Sequence, residues 1–382
     1  MTKISMQQTV KTRAFPHAML QEIHEQPEAL SATIERYAPE GVLNPDAFPN
    51  IAEILRGRQR LVIAASGSSR HAGLAGEIML EDYAGLAVDV EYASEYCYRS
   101  THTLHDPGVL VISQSGETAD TLAALREARS RGLSTVAITN NATSTMANEA
   151  DSSLPTIAGK EKAIPATKSF TTQLTVLYLL TLYLARLSGR MTSQTVSAHL
   201  EHLNALPHQL EEALPTWEEQ INEIAKHLHK SKGFLYLGRA VHYAIAREGA
   251  LKLKESAYMQ AEGYPAGELK HGPNALVSPD TPLVILATYD KDDPDSVLRY
   301  QKTLQLMRDM HTQGATIFSV ITNGDEDAAK LSRYSVAIPK VSEFLLPLLE
   351  VVPLQLFAYF TAILNGVNVD APRNLVKAVV TE

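Results

Sequence analysis

Glu248, Lys252 and Glu255 stand at i, i+4 and i+7 in a run of good helix formers, so a helix through them stacks all three on one face. Gly263, Pro265 and Gly267 then predict a break, after which Lys270, His271, Gly272 and Pro273 fall in an irregular segment. A carboxylate and an ammonium on a rigid helix, with an imidazole that titrates near neutrality, form a set suited to acid–base catalysis. The same spacing also describes an ordinary solvated charge ladder. The segment alone leaves both open.

Two serine-rich stretches could hold an anion. The apolar run Leu61–Ala65 leads into Ser66, Gly67, Ser68 and Ser69, and Val109–Ile112 leads into Ser113, Gln114, Ser115, Gly116, Glu117 and Thr118. In a parallel sheet such loops lie where ligands bind, and backbone N–H groups at the following helix favour negative charge. Hydroxyls add hydrogen bonds without adding charge, which suits a phosphomonoester. Plain N-capping is the alternative use of Ser and Thr here. Neither strand is followed by G-x-G-x-x-G, and no G-x-x-x-x-G-K-[ST] occurs, so dinucleotide and nucleoside triphosphate sites have no support. Ser115 is not in a G-x-S-x-G elbow, because position 113 is Ser. Thirteen histidines without H-E-x-x-H, and a single cysteine, imply no metal site.

The elements that must carry these loops repeat. Strand, polar loop and helix recur, with a third strand at Thr135–Thr139, which predicts right-handed βαβ units and a parallel sheet. The order returns roughly 170 residues later at Phe234–Leu237, Leu283–Ala287 and Thr316–Thr322. Two copies of one α/β domain are expected, joined by helices over about 172–230 that Pro207 and Pro215 interrupt. The expected division is a helical arm at 1–50, a first domain at 51–190, a helical linker at 191–230, a second domain at 231–370 and a tail at 371–382. In the arm, Pro16, Pro27, Pro39 and Pro45 punctuate short helices that pack on something larger. The second copy has Ala287, Thr288, Tyr289 and Asp290 where the first has Ser113 to Gly116. The first copy is therefore expected to bind, and the second to supply the charged helix.

The 382 residues include 45% hydrophobic and 20% charged residues, an ordinary globular balance. A net charge of -9 argues against a general nucleic-acid binder. Cys97 has no partner for a disulfide, suits a reducing compartment and is expected as small core filler. Met1–Ala14 is polar, with no apolar core for a secretory leader, and Leu174–Ala185 is too short an apolar run to span a bilayer. A cytoplasmic protein with no membrane partner is expected.

Ser113-Gln-Ser-Gly-Glu-Thr-Ala-Asp-Thr, Ala166-Thr-Lys-Ser-Phe-Thr-Thr-Gln, the segment Glu248–Pro273 and Pro372-Arg-Asn-Leu-Val-Lys377 resemble the sugar isomerase (SIS) half of glutamine–fructose-6-phosphate aminotransferase. The likeness runs from about Met19 to the C-terminus, and several motifs in the right order make it specific. It implies two tandem SIS domains, each a parallel five-stranded sheet flanked by helices in a flavodoxin-like three-layer αβα arrangement, assembled as a homodimer. It further implies that Ser69, Ser113, Gln114, Ser115 and Thr118 hold the sugar phosphate, and Ser66, Gly67, Ser68 and Ile164 beside them are expected to contact the substrate as well. Glu255 would move the proton between C1 and C2, Lys252 would assist, and Lys377 would form a Schiff base. His271, from the partner subunit, would open the ring. No metal or organic cofactor is implied.

Departures from the resemblance are also visible. Ile164-Pro165-Ala166 stands where the relatives have Val-Ala-Ser, and Ser66 and Ser68 replace Cys and Thr. Residue 2 is Thr, and the glutaminase half has no counterpart in the 382 residues. The expectation is a glucosamine-6-phosphate deaminase that releases fructose 6-phosphate and ammonia. The alternatives are a deglycase or deaminase for fructosamine 6-phosphate or galactosamine 6-phosphate, the isomerase subunit of a glucosamine-6-phosphate synthase, and a non-enzymatic phosphosugar sensor.

Overall fold

The computed structural model describes residues 13–55, 58–99 and 107–380. Most of Met1–Ala14, on which the expectation of no leader rests, lies outside the described residues.

Among the described residues, ten strands form two all-parallel sheets. The first contains β1 (Arg60–Ala65), β2 (Ala87–Tyr92), β3 (Gly108–Ser113), β4 (Thr135–Thr139) and β5 (Ser152–Pro155), ordered β2-β1-β3-β4-β5. The second contains β6 (Gly233–Gly238), β7 (Gln260–Pro265), β8 (Leu283–Ala287), β9 (Ile317–Thr322) and β10 (Tyr334–Ile338), ordered β10-β9-β8-β6-β7. Read from its other edge, the second order is the first order again, so the duplication expected from the sequence is a duplication of topology. Each sheet reverses its winding between its first and third strands, and the crevice at that point opens beyond the carboxyl ends.

Helices shared by both halves cover the sheets. Lys168–Leu187 and Leu346–Leu364 are apolar nearly all round, and they join one continuous core with Val241–Ala257 and the inner face of Ser193–Leu228. The apolar run Leu174–Ala185 thus belongs to a 20-residue helix, longer than the sequence suggested. Lys168–Leu187 and Glu343–Leu364 are long and apolar enough to cross a membrane, but 89% and 94% of their apolar windows are buried inside the protein. Their apolarity has a place in the core.

Three expectations are corrected. Pro207 and Pro215 do not interrupt: Ser193–Leu228 is a single 36-residue helix. Each internal proline costs about 3 kcal/mol, and a face carrying Leu200, Leu203, Leu206, Leu210, Leu214, Trp217, Ile221 and Ile224, all buried, offsets it. Trp217 also pins this helix to β10, donating to the Ala337 carbonyl at 2.9 Å. Second, the helix bearing Glu248 ends at Ala257, where Tyr258 turns left-handed at φ 57, and Gln260–Pro265 is the edge strand β7 rather than an irregular break. Pro265 is tolerated there because an edge strand leaves one side of its ladder unpaired. A Cβ on Gly263 would lie 2.6 Å from the Cα of Arg247, so the strand's glycine permits close approach to the helix. Third, Cys97 is only half-buried, on a short turn after β2, and fills no core.

The N-terminal arm packs on the larger body. Helices Ala18–His24 and Gln26–Tyr37 bury Met19, Leu20, Ile23, Leu30, Ile34 and Tyr37 in the shared core. Pro27 sits in the first turn of the second helix, where its missing N–H is harmless.

Candidate active site

The crevice between β1 and β3 holds a cavity of about 260 Å³. Ser66, Gly67, Ser68 and Ser69 come to it from the end of β1, and Ser113, Gln114, Ser115 and Thr118 from the end of β3. Ile164, Lys252, Glu255 and Lys377 complete the wall, so the fold gathers twelve of the thirteen residues singled out in the sequence. His271 is the exception: it is exposed at the end of a 3-10 turn, Ala266–His271, and does not line this cavity.

Both serine loops stand at helix N-termini, at Gly67–Met79 and Ala119–Ser130. The N-cap residues are Ser66 and Thr118, and neither side chain makes a capping hydrogen bond. Capping alone therefore does not account for these hydroxyls. Thr118 Oγ1 lies 2.9 Å from Ser113 Oγ, which also accepts from the Gly116 amide at 3.2 Å. Ser115 Oγ accepts from the Glu117 amide at 3.1 Å. The turn needs glycine at 116, because φ is +69 and a Cβ would lie 2.1 Å from Ser144 Oγ. Hydroxyls and helix N-termini converge on one spot, as a phosphate requires.

Opposite lies the charged helix Val241–Ala257, and it is not a solvated ladder. Glu248 and Lys252 are buried and Glu255 is half-buried at the cavity wall. Lys252 Nζ lies 2.5 Å from Glu255 Oε2 and 3.4 Å from Glu248 Oε1. Burial alone would depress the Lys252 ammonium, but the charges of Glu248 and Glu255 hold it above its ordinary range. Glu248 ties this helix to the first serine loop: its carboxylate accepts from Ser68 Oγ at 2.8 Å and pairs with His71 Nδ1 at 2.8 Å. Burial would raise the Glu248 carboxyl, yet Lys252, His71 and Ser68 together keep it low.

The tail closes the remaining side. Asp370 accepts from the amides of Ala18 and Met19 at 2.8 Å each, and its carbonyl accepts from Ile164 N at 3.0 Å. Arg373 stacks over Tyr258 at 4.3 Å, and the Val379 carbonyl accepts from the Ala119 amide at 2.9 Å. Between these anchors Lys377 Nζ donates to Glu161 Oε2 at 2.5 Å and to the Ala163 carbonyl at 2.7 Å. Glu161 is fully buried, which alone would raise it, but the Lys377 charge and donors from Ser169 Oγ (2.7 Å) and Thr167 N (2.9 Å) hold it below the usual carboxylate range. Beside this pair, Glu22 is buried against the Lys162 and Ala163 amides, and desolvation pushes it up to about 7 despite them. Glu22, His71 and Glu161 were not singled out in the sequence. Their partners lie 141, 177 and 216 positions away, a distance no local spacing signals.

A family model described as SIS domain matches residues 54–183 and 227–365. A glutamine–fructose-6-phosphate aminotransferase (isomerizing) from Chlorobaculum tepidum is 40% identical over 376 residues, covering 98% of this chain and 60% of that protein. One from Aquifex aeolicus is 41% identical over 368 residues, covering 96% and 58%. The chain thus spans about 60% of the length of the curated relatives it matches. Among solved structures, the C-terminal domain of glucosamine-fructose-6-phosphate aminotransferase from Francisella tularensis has a TM-score of 0.88 at 34% identity, covering 94% of this chain and 99% of that one. Glucosamine-6-phosphate deaminase from Thermotoga maritima has a TM-score of 0.69 at 22% identity, covering 95% and 99%, a likeness of fold.

Proposed function

The chain belongs to the SIS domain family, with two copies in tandem, and from that premise we propose that it interconverts fructose 6-phosphate plus ammonia with glucosamine 6-phosphate plus water. The observation that carries this reading is the single cavity in which an uncharged phosphate cradle, the Lys252–Glu255 pair and Lys377 meet. The phosphate sits on Ser113, Ser115 and Thr118, which aims C1 and C2 at Glu255. One carboxylate that takes a proton from one carbon and returns it to the next is what aldose–ketose isomerisation needs. Lys252, held as a cation between Glu248 and Glu255, keeps the Glu255 carboxylate in place through their 2.5 Å contact. Lys377 is the nucleophile toward the ketose carbonyl, and its ion pair with Glu161 must open so that a neutral amine can condense.

Direction is the finer question. The 40% identical relatives bear the aminotransferase name, which supports the isomerase half of a synthase better than the deamination expected from the sequence. Deamination is the same path reversed: ring opening, proton transfer by Glu255 to give the C2 imine, and attack of water at C2 that expels ammonia and leaves the ketose carbonyl. His271 lies outside the cavity of its own chain, so we assign ring opening to His271 supplied by a second copy across a dimer interface.

The test supplies fructose 6-phosphate with ammonium, and separately glucosamine 6-phosphate, with no glutamine in either. Formation of the amino sugar, or release of ammonia with equimolar ketose, is the expected result in one assay or both, and the ratio of rates sets the direction. Neither product, together with no solvent hydrogen entering C1 or C2, would overturn the reading. For the shared site, mixing His271→Ala and Glu255→Gln chains should restore up to about a quarter of the unaltered activity if the copies recombine freely, since one site per mixed dimer is then intact. No recovery in a dimer shown to have exchanged would rule that assignment out.

A further inference from the structure

The second sheet has a carboxyl edge of its own, and a cavity of about 310 Å³ opens there over the ends of β8, β9 and β10. It shares no lining residue with the candidate active site. Its wall is prepared for a ligand in four ways. Tyr289 stacks on Tyr300, centroids 4.3 Å apart at 26°, and Tyr300 is held by its hydroxyl donating to Asp325 at 2.9 Å, so the ring platform is fixed in advance. Gln209, from the helix Ser193–Leu228, keeps a buried Oε1 with no hydrogen-bond partner among the described residues. Buried acceptors are ordinarily satisfied, so this one asks for a donor. Lys340 is exposed at the rim with no ion pair among the described residues, while its neighbour Lys291 is already held by Asp292 at 2.7 and 2.8 Å. The Asp290 carboxylate accepts from the Asp292 amide at 2.9 Å and makes no ion pair among the described residues.

We propose that this cavity is a second binding site, and that it takes a phosphorylated amino sugar. A planar ring platform matches the apolar face of a sugar. Lys340 meets the phosphate, Asp290 the ammonium, and a ring hydroxyl donates to Gln209 Oε1. One anionic and one cationic group on a hydroxylated ring is the chemistry that this wall complements. The choice of an amino sugar over other sugar phosphates rests on the proposed function; the cavity and its unpartnered groups do not.

The test is a calorimetric titration of glucosamine 6-phosphate into the full chain carrying Glu255→Gln, which slows turnover enough for binding to be read. Two sites per chain are expected. Adding Ser113→Ala and Ser115→Ala should remove one, and adding Lys340→Ala instead should weaken the other about tenfold, the worth of a charge-assisted hydrogen bond. Glucose 6-phosphate, which lacks the amine, should bind this cavity about tenfold more weakly, and Asp290→Asn should erase that preference. A single site lost with the serines, or a second site indifferent to Lys340→Ala, overturns the inference. Two sites in a protein that turns over no amino sugar would overturn the proposed function and leave this inference standing; turnover with one site would do the reverse. Lys340 is exposed, so its replacement is not expected to unfold the chain.

Discussion

The two sheets have one strand order, yet their crevices differ. Beyond β1 and β3 the chain places serines and leaves a cavity. Beyond β6 and β8 it fills the space with its own charges. His242 stands after β6 where Ser69 stands after β1, and its ring pairs with Glu350 at 2.7 Å and Glu343 at 3.3 Å. Thr288, at the end of β8, donates to Glu350, while Ser296 and Arg299 complete the shell of Glu343. Burial would depress the imidazole, but the two carboxylates raise it to about 10, and His242 in turn helps hold Glu343 down to about 2 against its own desolvation. Duplication thus preserved the frame and not the site. A crevice lined by neutral hydroxyls on helix N-termini is suited to an anion, whereas one packed with a paired imidazolium already holds its own counter-charges.

The largest effect should come from the open crevice. Glu255→Gln is expected to lower turnover about 10²- to 10⁴-fold, read as solvent hydrogen exchange at C1 and C2, with little change in unfolding. Undiminished exchange would remove the chemical half of the contrast. Next is His242→Ala in the filled crevice, expected to cost about 3–5 kcal/mol in urea unfolding, because it strands two buried carboxylates. The sign with pH follows from the shifts. His242, raised, stabilises fully below about 6.5 and loses that contribution as pH climbs through about 10; Glu343, lowered, contributes above about 4.5 and loses it as pH falls through about 2. The variant should therefore differ most from the unaltered protein between these limits and converge with it in strong base. A variant equally destabilised at pH 7 and above pH 10 would show that packing, and not charge, closes the second crevice.

Ser113→Ala should raise KM for the sugar phosphate about 10- to 100-fold, the worth of one hydrogen bond to a charged group, and barely move the urea midpoint. A large stability loss with unchanged KM would make the first crevice structural like the second. Glu22→Gln sharpens the contrast least. A carboxyl raised by burial binds its proton more tightly folded than unfolded, so Glu22 lowers stability progressively as pH rises from about 4.5 through 7. The Gln variant should flatten that decline in a pH series of unfolding curves.

The sequence by itself determined the central strands, the two serine loops and the spacing of Glu248, Lys252 and Glu255. Strands β1, β3, β4, β6, β8 and β9 are apolar runs because both of their faces are covered, and each is predicted within a residue of its observed span. The strands β2, β5, β7 and β10 were missed, and these are the four edges of the two sheets. An edge strand is half exposed and carries a mixed sequence such as Gln260–Pro265, so local pattern does not reveal it. Tertiary structure alone decided that Pro207 and Pro215 could ride inside one helix, since only the burial of its face offsets the lost hydrogen bonds. It also decided that Glu248 would meet Ser68 and that Glu161 would meet Lys377. Spacing speaks for neighbours on one element; partners brought together by folding a chain back on itself are chosen by packing, and packing is a property of the whole.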